Sequence, residues 1–310
     1  MKSVIHTEDL TKVYQKGKIV ALDKLTIDLP KDVCGIIGPN GSGKTTFIKI
    51  IVGLLRSFKG KISVLGFNIR ENNELLMAKK QIGYAGEDMV FPRELRIEKL
   101  LYHIAKIKGL RNHASQEVDE VVELMNLHSY KKRRISELSA GMYQRVAIAT
   151  ALIGDPYFII LDEPFKSLDQ DGRIILRELI KRKQKDHAFL ISSHDLLELQ
   201  EVVNHISLFR FGKLIYNGDL HSLLLTTKKV VIKVKISQDT EVENILKNNY
   251  PDIKIEKTNS VYRIIAELNN KELNNIISVL TNKIKGEIIY IERENLLERY
   301  KEIYRREEEN

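Results

Sequence analysis

Cysteine is nearly absent from this 310-residue chain, in which Cys34 stands alone. A lone thiol in an apolar stretch excludes an internal disulfide and a zinc cluster, and it fits the cytosol. Long apolar runs are missing as well. None approaches the roughly 18 residues that a membrane-crossing helix requires, and Met1 to Leu10 lacks the apolar core of a secretion signal, so the chain is expected not to cross a membrane by itself. Charge of one sign is not concentrated either: the net charge of +8 is spread along the chain. Its densest cluster, Lys131 to Arg134, reads as a solvated helix end, with anionic lipid headgroups or nucleic acid as alternative readings. The length leaves room for two domains and an ample core.

What the chain does have begins at Gly38. Residues Gly38, Pro39, Asn40, Gly41, Ser42, Gly43, Lys44 and Thr45 spell G-x-x-x-x-G-K-T, followed by Thr46. The string lies between an apolar stretch, Val33 to Ile37, and a helix-like run from Phe47 to Leu55. Glycines let the backbone curl so that successive N–H groups and the helix N-terminus point at phosphate oxygens. Lys44 would neutralise phosphate charge, and the Thr45 hydroxyl would ligate Mg²⁺. A nucleoside triphosphate is the expected ligand.

A second constellation is Tyr157 to Leu161, an uninterrupted apolar run that ends in Asp162 and Glu163. It reads as a buried parallel strand presenting two carboxylates at its C-terminal end, where open α/β sheets place ligands. Asp162 would hold Mg²⁺ through water or Thr45, and Glu163 would act as general base or orient the attacking water beside the γ-phosphate. The competing reading, a helix start ahead of Pro164, leaves the metal of the loop without its second protein partner.

Between these two motifs stand Leu138, Ser139, Ala140, Gly141, Met142, Tyr143, Gln144 and Arg145. Taken alone they are a plausible helix N-terminus. Together with the phosphate loop before and the Asp-Glu-Pro strand end after, LSAGMYQR resembles the signature motif of ATP-binding-cassette (ABC) ATPases. The resemblance implies ATP as the nucleotide, and a signature whose Ser139, Ala140, Gly141 and helix N-terminus complete the γ-phosphate cage of a second subunit. It further assigns Tyr14 to adenine stacking, Asp169 in Ser167-Leu168-Asp169 to the dimer interface, and His194 in Ser192-Ser193-His194-Asp195 to contact with the γ-phosphate. Outside that frame, Tyr14 reads as a surface residue and His194 as a satisfied polar residue at a strand end.

Two positions depart from the family pattern. Glu87, in Ile82-Gly83-Tyr84-Ala85-Gly86-Glu87, aligns where a glutamine that contacts Mg²⁺ and senses the membrane partner is usual; a carboxylate keeps the oxygen but adds charge near the γ-phosphate. Ala140 stands where the signature usually has glycine, which calls only for a negative φ there.

The expected architecture is α/β: residues 1–220 form an ABC ATPase domain with a RecA-like core, a mixed sheet and a helical subdomain at about 88–140. Within that subdomain Leu100, Ile104 and Ile107 fit one helix face, and Val118, Val121, Val122 and Met125 another. Asn217-Gly218 reads as a turn. Residues 221–310 read as β-α-β-β-α-β, a ferredoxin-like order, without a catalytic constellation, and so as a regulatory or dimerisation domain. A closing helix places Leu296, Tyr300, Ile303 and Tyr304 on one stripe, packed on its own domain or on another subunit.

The function implied is the ATP-hydrolysing subunit of an ABC transporter, peripheral at the cytoplasmic face of the membrane and powering a separate polytopic permease. One phosphate loop per chain implies a partner ATPase subunit, a homodimer ahead of a heterodimer. Export is favoured over import because the Gly141-Met142-x-Gln144-Arg145 variant and the Phe91-Pro92-Arg93-Glu94-Leu95 segment resemble those of subunits that serve drug, peptide or polysaccharide exporters. Nucleic acid is not an expected partner, because the stretch between phosphate loop and signature has no space for the long coiled coil of chromosome ATPases.

Overall fold

The computed structural model describes residues 3–14, 18–225, 229–236, 242–268 and 270–293. It divides into two compact units, Met1–Leu220 and His221–Asn310. The strands of the first unit are β1 (Ser3–Tyr14), β2 (Ile19–Pro30), β3 (Val33–Ile37), β4 (Lys59–Val64), β5 (Phe67–Asn68), β6 (Ile82–Ala85), β7 (Phe158–Asp162), β8 (Ala188–Ser193), β9 (His205–Arg210) and β10 (Lys213–Asp219). Its helices are α1 (Lys44–Ile51), α2 (Asn72–Lys80), α3 (Ile97–Ile107), α4 (Ala114–Leu124), α5 (Ala140–Leu152), α6 (Gln170–Lys183) and α7 (Leu196–Leu199); α8 (Leu220–Leu225) crosses the unit boundary.

Two sheets build the first unit. A six-stranded sheet has the order β10-β9-β3-β8-β7-β6, parallel except for β10, which pairs antiparallel with β9. Strands β3, β7 and β8 are buried at every position, which is why they read as unbroken apolar runs. Burial of each large apolar side chain there contributes about 2 kcal/mol. The second sheet, β2-β1-β4-β5, is antiparallel, and its inward residues share one core with Phe47, Ile48 and Ile51 of α1 and with Phe158 and Ile160 of β7.

The helical stretch between β6 and β7 carries α3 and α4. Val118, Val121, Val122 and Met125 are all buried. For α3 the inward face differs from the expected one: Ile97, Leu100, Leu101 and Ala105 are buried, while Ile107 is 85% exposed. The expected spacing extended the face one turn too far, to a position where the helix is about to end at Lys108 and Gly109. A second correction concerns Asn217-Gly218, which lies inside β10, opposite Ser207 and Ile206. The turn is Phe211-Gly212, with φ of +48° and +76°, the pair of positive values that a tight two-residue hairpin requires. Asn217 is instead drawn into the sheet by its amide, which accepts from Ser207 Oγ at 2.8 Å and donates to the Asp28 carbonyl at 3.0 Å.

The second unit runs β11 (Lys229–Lys235), α9 (Val242–Asn249), β12 (Lys254–Thr258), β13 (Val261–Glu267), α10 (Asn270–Ser278) and β14 (Glu287–Arg293). Its sheet is antiparallel in the order β12-β13-β11-β14. Leu246 of α9 and Ile276 of α10 pack with Val230, Ile232 and Val234 of β11 and Tyr262 and Ile264 of β13, so both helices cover one face. The stripe of Leu296, Tyr300, Ile303 and Tyr304 lies outside the described residues.

Candidate functional site

Register brings the candidate residues to one edge of the parallel sheet. Ile37 at the end of β3 pairs with Ser193 of β8, Asp162 of β7 pairs with Ser192, and Ala85 of β6 pairs with Leu161. Whatever follows each strand therefore emerges side by side: the phosphate loop after Ile37, Glu163 after Asp162, His194 after Ser193 and Glu87 after Ala85.

The phosphate loop is a tight curl closed by Ser42 N donating to the Pro39 carbonyl at 3.1 Å. Gly43 has φ +105°, and a Cβ there would lie 2.5 Å from the Ala21 carbonyl oxygen. Only glycine meets both conditions. Gly43 caps α1 without a side-chain hydrogen bond, so the first N–H groups of the helix stay free for an anion. Lys44 Nζ, almost wholly buried, donates to the Gly38 carbonyl at 2.7 Å and lies 3.4 Å from Glu163 Oε1. Ser42 Oγ is buried with no hydrogen-bond partner. A buried orphan hydroxyl inside a ring of amides and an ammonium fits phosphate oxygens.

Asp162 is fully buried. Its Oδ1 accepts from Ser192 Oγ at 2.5 Å, and its Oδ2 is buried without a partner. Burial holds the carboxyl above the usual carboxylate range against the Ser192 hydrogen bond and the neighbouring Thr45 hydroxyl, and the charges of Glu87 and Glu163 push it the same way as burial. A carboxylate kept in so costly a setting, with one oxygen free and the Thr45 hydroxyl in reach, fits a hard cation.

Glu163 carries φ +51°, a left-handed backbone that costs a non-glycine residue about 1 kcal/mol or more. Its N–H donates to Ser192 Oγ at 2.9 Å, which holds that turn. The carboxylate is thereby placed between Lys44 and His194, whose Nδ1 lies 2.8 Å from Glu163 Oε2. Tyr14 lines a cleft of about 320 Å³ together with Ile19, Val20, Ala21, Asn40, Gly41, Ser42, Gly43, Lys44, Thr45, Thr46, Glu87 and Glu163. Lys12 Nζ lies 4.9 Å from the Tyr14 ring centre.

Ser139, Ala140, Gly141 and Asp169 do not line that cleft. Ser139 caps α5, its Oγ accepting from Met142 N at 3.3 Å, and Ala140 opens the helix without a positive φ. Ser139 and Ala140 are exposed. Gly141 abuts the following loop: a Cβ there would be 3.2 Å from the Ser167 carbonyl oxygen. Asp169 caps α6 through Oδ1, which accepts from Gly172 N at 2.9 Å.

Comparison with known proteins agrees with this geometry. The family model described as ABC transporter matches residues 22–166. The bacitracin transport ATP-binding protein BcrA of Bacillus licheniformis is 37% identical over 218 residues, covering 69% of this chain and 69% of that protein. The chain belongs to the ABC transporter ATP-binding family. A second relative, the glucose import ATP-binding protein GlcV of Saccharolobus solfataricus, is 30% identical over 250 residues, covering 79% of this chain and 71% of that protein. Among solved structures, the ATP binding subunit of an ABC transporter superposes with a TM-score of 0.65 at 26% identity, covering 72% of this chain and 93% of its own. As an ABC ATPase subunit, the protein binds and hydrolyses ATP.

Several residues of this ABC cassette site carry no signal of their own in the sequence. Ser192, inside an apolar strand, serves both Asp162 and Glu163. Lys166, two residues beyond Pro164, donates to Glu87 Oε1 at 2.6 Å. Glu198 on α7 accepts from Ser193 Oγ at 2.9 Å and from Arg173 Nη1 of α6 at 2.8 Å. The Ser-Ser-His string and the acid four residues beyond the histidine were the only cues available for the first and last of these.

Proposed function

We propose that two cassettes pair head to tail, so that each nucleotide is held by Lys44 of one chain and Ser139 of the other, and that the pair drives a polytopic membrane permease. The observation that carries this is the separation just described: one chain gathers the phosphate loop, Glu163 and Tyr14 in a cleft and leaves the Ser139 cap facing solvent. A helix N-terminus with a hydroxyl cap attracts an anion, and a second chain supplies it. Among the described residues no helix is long and apolar enough to cross a membrane; in this reading the permease is a separate chain, with the cassette against its cytoplasmic face.

In the reaction, Glu163 takes the proton of the attacking water or orients it, and Lys44 stabilises charge on the transferred phosphoryl group. His194 gives its Nδ1–H to the Glu163 carboxylate, which leaves Nε2 for the γ-phosphate. Mg²⁺, held by Thr45 and Asp162 with Glu87 alongside, would neutralise the phosphate oxygens. Export is the direction we favour. The segments that carry its two sequence cues touch through Tyr143, the position the signature cue leaves open: Phe91 N donates to Tyr143 Oη at 2.9 Å, Tyr143 Oη donates to the Met89 carbonyl at 2.9 Å, and the two rings lie 5.4 Å apart. The segment after Glu87 is thus fastened to the signature helix. Residues 221–310 regulate the cassette or assist its pairing.

The test is ATPase rate per subunit against protein concentration, which should rise until pairing saturates. Constant specific activity from a sample shown to be monomeric would remove the proposal. Copurification separates the permease reading from an ATPase acting on ribosomes or nucleic acid, since only the former retains a polytopic membrane protein.

A further inference from the structure

Glu87 does not stand alone at its strand end. The chain turns sharply after Glu163, with Lys166 N donating to the Glu163 carbonyl at 3.3 Å and Leu168 N to the Phe165 carbonyl at 3.2 Å. That turn throws the Lys166 side chain back across the end of the sheet, where its Nζ meets Glu87 Oε1 at 2.6 Å. The charged groups facing this ammonium are Glu87, Glu163 and Asp88; Asp88 itself lies 3.7 Å from Lys49 Nζ. On its other side, Glu87 lines the cleft with Thr45 and Glu163 and adds its negative charge to that felt by Asp162.

The pair is open to water, with 55% of the Lys166 side chain and 34% of the Glu87 side chain exposed. An ion pair of that kind is weak, because solvent screens it and two long side chains lose freedom in forming it. It is too weak to serve as a brace. It is suited to exchange, since a doubly charged cation arriving with phosphate oxygens outcompetes a solvated ammonium for the same carboxylate. Without a cation, Lys166 cancels the charge that Glu87 would otherwise direct at the phosphates.

We propose that Lys166 is a positioning residue that holds Glu87 in competition with a divalent cation, and so sets how strongly nucleotide binding depends on metal. The inference rests on the reading that Glu87 faces the metal and the γ-phosphate. Lys166 touches neither nucleotide nor metal and acts only through that carboxylate. Both partners lie at the junction between the strand-end acids and the loop that carries Asp169.

The test compares affinities of the full-length protein for a non-hydrolysable ATP analogue with Mg²⁺ and with a chelator, by calorimetry, in a double-mutant cycle. In Lys166→Met the metal-free complex should weaken about tenfold while the Mg²⁺ complex holds, so the ratio of the two affinities widens. Lys166→Arg, which keeps the charge, should restore the ratio. Glu87→Gln should narrow the ratio, and adding Lys166→Met to it should then change the ratio less than twofold. If Lys166→Met widens the ratio equally in both backgrounds, the ammonium acts on the nucleotide directly and the proposal falls while the Glu87 reading survives. If Glu87→Gln alone leaves the ratio unchanged, both fall. Should Lys166→Met not give the native circular dichroism spectrum, Lys166→Gln replaces it in the same cycle with the same deciding outcomes.

Discussion

At the scale of single residues, the two carboxylates at the end of β7 have opposite relations to stability. Asp162 is buried with one oxygen unpartnered, so its charge costs the fold free energy that a metal would offset. Asp162→Asn should therefore raise the melting temperature of the metal-free protein by about 2–4 °C, the shift that roughly 1 kcal/mol produces in a domain of this size. Hydrolysis should be lost in the same variant, and differential scanning calorimetry beside an ATPase assay checks both halves. Glu163 differs in having partners on both oxygens, Lys44 and His194. Glu163→Gln keeps the shape and removes the carboxylate proposed to take the proton of the attacking water or orient it, so turnover should drop about 10²- to 10⁴-fold. Nucleotide affinity should change little, and a stable ATP-bound pair of chains should become visible by gel filtration.

At the scale of elements, the connection that stands out joins the helix after Asp169 to the turn that bears His194. Arg173 on α6 and Ser193 on β8 share the Glu198 carboxylate of α7, whose side chain is only 11% exposed. Ser193 Oγ also accepts from Asp195 N at 2.9 Å, so the residues on either side of His194 are held by one hydroxyl. Glu198→Ala removes a charge-assisted bond and a largely buried acceptor, with an expected loss of about 1–3 kcal/mol in chemical denaturation. Loosening the His194 turn should also lower kcat more than it raises KM. Glu198→Gln, which retains an acceptor for Ser193, should recover part of kcat. An equal loss in both variants would assign the whole effect to the Arg173 charge.

For the whole molecule, the two compact units divide at Leu220 and His221. Each has its own apolar cluster, one built from the two sheets and α1 and the other from β11, β13, α9 and α10. A chain ending near His221 should therefore retain cooperative unfolding and nucleotide binding within about twofold of the full-length value. Loss of binding in a truncated chain that still shows a native circular dichroism spectrum would mean that the second unit contributes to the site.

The phosphate loop, the Asp162-Glu163 strand end and the LSAGMYQR helix start were legible in the linear sequence because each is local. A glycine needed for a backbone angle, a hydroxyl needed at a helix cap and acids placed at the end of an apolar run are constraints between neighbours. The misread places were those where neighbours compete with distant partners: Asn217-Gly218 has turn chemistry, yet Ser207 and Asp28 draw it into a sheet, and Ile107 has helical spacing where the helix stops. The convergence of four strand ends was decided by sheet order, in which β3 lies between β8 and β9 although about 150 residues of chain separate Ile37 at the end of β3 from Ala188 at the start of β8. Lys166 against Glu87 and Glu198 against Arg173 are likewise tertiary facts, for the physical reason that a charge carries no mark of its partner until the fold brings the two within reach.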